Sequence, residues 1–118
     1  MSSIFNQRLD KLFNTINKLG YSGLYVTNLT NIRYLTGFTG SAAVLLILNE
    51  KAYFLTDGRY IQQSKDEVKN AQILIIDSNY FDTILNHKLL SSNNLTIGFE
   101  SSHIAVSTYN GLLKQFSH

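Results

Sequence analysis

The chain has 118 residues, 44% of them hydrophobic and 15% charged, which sizes it for one domain with one core and argues against disorder. It contains no cysteine, so disulfides, thiolate metal sites and a thiol nucleophile are out. The net charge is only +2 with the basic residues scattered, no apolar run approaches the roughly 18 residues of a membrane span, and the start lacks a signal peptide's basic-then-apolar pattern; a cytoplasmic protein without nucleic-acid or membrane partners is expected.

Phe5, Leu9, Leu12, Phe13, Ile16 and Leu19 recur at three- and four-residue spacing, which predicts a helix started by Ser2 or Ser3 and stopped by Gly20. Gly23 to Thr27 reads as a short strand. Asn28 or Thr30 then caps a short helix that ends at Gly37. Ser41 to Leu48 is almost wholly apolar, as a central strand covered on both faces would be. Asn49-Glu50 turns the chain back into Lys51–Thr56, which predicts a hairpin. A helix is expected from Arg59 to about Val68 and a buried strand over Gln72–Ile76. Asp77 or Ser78 caps a helix presenting Phe81, Ile84, Leu85 and Leu89. Ser91 to Asn94 is a polar loop, Leu95 to Phe99 a strand, and Ser107 caps a last helix with Tyr109, Leu112, Leu113 and Phe116 inside. The expected fold is α/β: one domain over residues 1–118, a mixed sheet of about five to six strands with helices on its faces.

The densest punctuation lies between Asn31 and Tyr60. Gly37 and Gly40, three apart, fit a sharp corner that needs positive φ or close approach. Asp57-Gly58 after an apolar strand signals a turn whose Asp caps the next element. The carboxylates Asp10, Glu50, Asp57, Asp66, Glu67, Asp77, Asp82 and Glu100 fall at caps, turns or polar helix faces. His87, His103 and His118 form no His-Glu-x-x-His pattern. No catalytic residue and no metal site is therefore assigned to this chain. Arg33 and Arg59 stand at motif edges and are suited to bidentate carboxylate pairing, with a local ion pair to Asp57 as the simpler role. Tyr34 and Tyr60 read as core or interface aromatics.

Three stretches carry a family resemblance: Asn31-Ile32-Arg33-Tyr34-Leu35-Thr36-Gly37-Phe38-Thr39-Gly40-Ser41, Thr56-Asp57-Gly58-Arg59-Tyr60, and Leu95-Thr96-Ile97-Gly98-Phe99-Glu100. Together they resemble the N-terminal domain of the creatinase/prolidase group, the pita-bread metallopeptidases that include Xaa-Pro dipeptidases and Xaa-Pro aminopeptidases. The similarity runs from about Arg8 to Phe116.

In that group a separate C-terminal catalytic domain holds two divalent ions, typically manganese, on two Asp, one His and two Glu, and none of those motifs occurs here. The resemblance implies a non-catalytic half that binds no cofactor and is inactive alone. Its implied partners are the catalytic domain of a parent chain, a second subunit of a homodimer, and short peptides with proline second. A loop matching Tyr34 to Ser41 would reach over the neighbouring active site. Phe38 could then wall a proline ring and Thr39 and Ser41 bond the peptide backbone, with Arg33 and Arg59 nearby. Phe38 packing under its own turn is the competing role, and Gly37, Gly40, Asp57 and Gly58 are read as structural.

Two rival classes share these residues. Gly37-Phe38-Thr39-Gly40 has the Gly-x-x-Gly spacing of an RNA-clamping KH loop, although a strand follows it and it carries no Lys or Arg. A stand-alone interaction or oligomerisation module would share the fold and lack a catalytic half. No Gly-x-Gly-x-x-Gly follows a strand, which disfavours dinucleotide binding. Creatinase-like chemistry stays open, because the missing half sets the reaction.

Overall fold

Val44–Leu48 (β2) is buried along its whole length and forms the middle of a sheet that has five strands among the described residues. The structure, a computed structural model, describes residues 4–77, 79–87 and 97–99, with the side chain of Phe99 left aside. The other strands are Gly23–Val26 (β1), Lys51–Thr56 (β3), Gln72–Ile75 (β4) and Ile97–Phe99 (β5), in the order β4-β3-β2-β1-β5. β2 is antiparallel to both neighbours, whereas β1 and β5 run parallel, as do β3 and β4. The sheet is mixed, as expected, because a hairpin occupies its centre.

The period-2 alternation of β2 sorts the core into two layers. Leu45 and Ile47 face Ile4–Lys18 (α1) and Leu29–Thr36 (α2), meeting Leu9, Ile16, Ile32, Leu35, Phe38 and Phe54. Val44, Leu46 and Leu48 face the other way, onto Tyr25, Leu55, Leu74 and Ile84 of Tyr80–Asn86 (α4). Slipping β2 by one residue would exchange these two sets.

Most sequence signals act as expected. Gly20 takes φ 79° past the end of α1, although Leu19 lies beyond the helix and is 64% exposed. The Asn28 side chain caps α2 by accepting from the Asn31 N–H at 3.1 Å; Thr30 lies inside the helix. Asn49 and Glu50 adopt φ 51° and 65° between the paired residues Leu48 and Lys51, the two left-handed positions of a type I′ hairpin. Glu50 adds a tie to α1 by accepting from Asn17 Nδ2 at 2.9 Å.

Several expectations are corrected. β2 starts at Val44, not Ser41, because Ser41–Ala43 belong to the preceding loop. The helix expected from Arg59 divides into a 3-10 turn, Gly58–Tyr60, and Ile61–Glu67 (α3). Asn79, not Asp77, caps α4, since its extended backbone lets Oδ1 accept from the Asp82 N–H at 2.8 Å. Leu85, expected inside, is 37% exposed. Ser2, Ser3, Ser78, Leu89, the loop expected over 91–94, Glu100, His103, His118 and the helix expected after Ser107 lie outside the described residues.

Candidate functional site: a braced loop between α2 and β2

The end of α2 sets the loop. The buried Thr36 hydroxyl donates to the Ile32 carbonyl at 2.7 Å and accepts the Phe38 N–H at 3.2 Å. Gly37 closes the helix at φ 85°, its N–H donating to Arg33 O at 2.8 Å, a left-handed position that a side chain would strain. Phe38 then enters the core. Its ring is 1% exposed and lies edge-on to Phe54 at 4.8 Å and to Tyr60 at 5.4 Å between centroids. Gly40 passes against the same rings: a Cβ there would stand 2.3 Å from Phe38 Cζ and 2.9 Å from Tyr60 Cε1. One glycine is thus needed for its dihedral and the other for the space it leaves.

Three side chains from the segment after β3 brace the loop. On one flank, Glu67 at the end of α3 accepts the Thr39 N–H at 2.8 Å and the Thr39 hydroxyl at 2.9 Å. Gln63, one helical turn earlier, donates to the Thr39 hydroxyl at 3.0 Å and to the Glu67 carboxylate at 3.2 Å. On the other flank, the Tyr60 hydroxyl accepts the Ser41 N–H at 3.2 Å and shares a short hydrogen bond with the Ser41 hydroxyl. Below it, the buried Thr56 hydroxyl donates to the Ala42 carbonyl at 2.6 Å.

The charges follow this geometry. Partial burial acts to raise the Glu67 carboxyl, but the hydrogen bonds from Thr39 and Gln63 and the nearby Arg33 charge outweigh it and hold it below its ordinary value. The Ser41 hydrogen bonds hold the Tyr60 phenol below its usual range. Asp57 caps the 3-10 turn by accepting the Arg59 N–H at 3.0 Å, and Arg59 returns a bidentate pair, Nε to Oδ1 at 2.9 Å and Nη2 to Oδ2 at 2.8 Å. That pair lowers the Asp57 carboxyl and raises the Arg59 guanidinium.

The sequence-predicted residues therefore separate. Arg33 and Thr39 line one cleft of about 450 Å³, together with Phe5, Arg8, Thr30 and Tyr34. Arg59 lies across the loop, occupied by Asp57. Phe38 packs under its own turn, so no face of its ring is open to a ligand. Gly58 has ordinary φ, and nothing lies within 4 Å of the place a Cβ would take, so neither geometry nor space demands glycine there. Sequence reasoning missed Glu67, Gln63 and Arg8 as parts of this region; the one local signal was the Gln63–Glu67 spacing on a helix. Among the described residues no three His, Asp or Glu side chains stand close enough together to hold a metal ion.

Fold and site define an α/β domain built around a braced helix-to-strand loop. Its relatives specify it further. The family model described as creatinase/prolidase N-terminal domain matches residues 8–118, and the chain belongs to that family. It is 38% identical over 102 residues to the peptidase YqhT of Bacillus subtilis, covering 86% of this chain and 29% of YqhT. Among solved structures it resembles the Xaa-Pro aminopeptidase (aminopeptidase P) of Streptococcus thermophilus, with TM-score 0.84 and 28% identity over 98% of this chain and 88% of that one. It also resembles the N-terminal domain of the cytoplasmic peptidase PepQ of Mycobacterium tuberculosis H37Rv, with TM-score 0.78 and 28% identity over 92% of this chain and 84% of that one. The chain spans less than a third of the length of the curated relatives it matches. Among the described residues no helix is long and apolar enough to cross a membrane.

Proposed function

We propose that this chain is the N-terminal, non-catalytic half of a cytoplasmic Xaa-Pro peptidase, and that its braced loop walls part of a peptide pocket whose reaction centre lies elsewhere. The observation that carries this reading is the loop itself: in a domain of this family, Thr39 is held by Glu67 and Ser41 by Tyr60, with Arg33 at the edge. A wall of this kind must be stiff to discriminate by shape, and side-chain braces from a neighbouring segment supply stiffness.

Hydrolysis belongs to a C-terminal catalytic domain of the parent chain. Two divalent ions bound there, manganese by family resemblance, would supply carbonyl polarisation and an activated water. In a homodimer, the loop of one subunit covers the neighbour's pocket and favours short peptides with proline second. Arg33 is its peptide-facing residue, and Thr39, with its N–H and hydroxyl on Glu67, holds the rim of the wall in place. Arg59 joins Arg33 only by exchanging its Asp57 partner, and Phe38 acts from beneath by fixing the height of the loop.

The test is the parent enzyme with Thr39→Ala, assayed on an Xaa-Pro dipeptide and a longer Xaa-Pro peptide. The ratio of the two kcat/KM values should change by about three- to tenfold, the worth of one hydrogen bond, with bound metal unchanged. An unchanged ratio would remove the wall, and a parent enzyme inert toward Xaa-Pro peptides would remove the peptidase reading.

A further inference from the structure

We propose that the cleft between α1 and α2 is a carboxylate site, suited to the C-terminal carboxylate of a peptide with an apolar last residue. The choice of a peptide rests on the peptidase reading above; the site itself rests on Arg8 and Arg33.

Arg8 comes from α1 and is fixed before any ligand arrives. Its Nη1 donates to the Tyr34 carbonyl at 2.8 Å, and its guanidinium carbon lies 4.0 Å from the centre of the Tyr34 ring and 5.4 Å from that of Phe5. A guanidinium stacked on aromatic rings keeps the donors on its edge for a planar acceptor, at little further loss of rotamer freedom. Arg33 enters the same cleft from α2, with the hydroxyl-bearing Thr30 beside it.

Two cations lining one cleft call for an anion, and the described residues place no carboxylate in direct contact with either. Among the described residues neither guanidinium has a carboxylate oxygen within 4.0 Å. Glu67 feels the Arg33 charge from beyond ion-pair distance and turns its oxygens to Thr39 and Gln63, so it offsets that charge only in part. The walls add chemical character. Phe5 and the 56%-exposed Tyr34 give apolar area beside the cations, which favours a carboxylate attached to an apolar side chain over a bare inorganic anion. The space, about 450 Å³, suits a peptide end.

The experiment is a titration of the isotope-labelled 118-residue chain with Ala-Pro-Leu and, separately, its C-terminal amide at fixed ionic strength, followed by the backbone amides of Thr30, Arg33 and Thr39. The free acid should shift these signals saturably and bind at least about tenfold tighter than the amide. Arg33→Gln and Arg8→Lys should each weaken the acid by about five- to tenfold and leave the amide as it was. The signals of Leu45 and Phe54 should stay in place, showing that each variant is folded.

Equal binding of acid and amide would overturn the site, as would inorganic phosphate matching the acid. A change in oligomeric state with Arg33→Gln and no preference for the acid would instead assign the cleft to contact between copies, and also overturn it. Hydrolysis by the parent enzyme is scored separately: acid-selective binding without it removes the peptidase reading alone, and hydrolysis without acid-selective binding removes the carboxylate site alone.

Discussion

Thr39 and Glu67 stand 28 residues apart, and the backbone N–H and hydroxyl of the first both end on the carboxylate of the second, at 2.8 and 2.9 Å. A single threonine at a loop tip is thus gripped through main chain and side chain together. Gln63 closes the arrangement by donating to both partners.

Replacing this carboxylate by an amide should loosen the grip without moving the helix that bears it. Glu67→Gln should lower stability by about 1 kcal/mol, the worth of a charged hydrogen bond reduced by solvent screening. The folded Glu67 carboxyl lies below its unfolded value. Its contribution is therefore complete above the unfolded value of about pH 4.3 and is lost as pH falls through the lower folded value. Urea titrations of wild type and variant across that window should converge at the acid end. Parallel curves at every pH would count against the ion's role.

The glycines of the motif should separate sharply. Gly40→Ala drives a Cβ into the rings of Phe38 and Tyr60 and should cost about 1–3 kcal/mol. Gly58→Ala meets open space at ordinary φ and should stay within about 0.5 kcal/mol of wild type. Chemical denaturation of the two variants side by side reads the contrast, and similar losses would refute the packing account.

Phe38→Ala should behave as a core truncation. The ring is 1% exposed between Phe54 and Tyr60, so its removal should cost about 3–5 kcal/mol. A loss below about 1 kcal/mol, read from unfolding midpoints, would mean the ring is not a core element.

On the proposal that the reaction centre lies in a separate catalytic domain, the isolated chain with added manganese should not hydrolyse Xaa-Pro dipeptides above the buffer blank. Turnover that survives purification to a single species and disappears with chelator would contradict that.

Much of this was legible in the sequence because it is local. The hairpin at Asn49-Glu50, the Asn28 cap, the left-handed Gly37 and the Asp57 cap each depend on a few neighbouring residues, and short-range chemistry leaves a pattern. Gly40 was legible only as needing either φ or room, and the fold decides for room. What the sequence hid is tertiary. The bond from Thr39 to Glu67 has no periodicity, and the side-chain bonds from Tyr60 to Ser41 join residues 19 apart. Phe38 looked equally able to line a pocket or fill a core, because an apolar residue between two glycines carries no mark of which way it turns. The cap of α4 was misplaced because Asp77, Ser78 and Asn79 all suit the role, and backbone direction chose Asn79.

The two braces have a mechanical corollary. Tyr60, the residue just before α3, and Glu67, its last residue, sit at either end of that helix, and each holds a different end of the corner over 39–41. That helix and that corner form a closed frame, so neither can tilt without dragging the other. The corner is thus held by side chains of one short helix rather than by its own backbone.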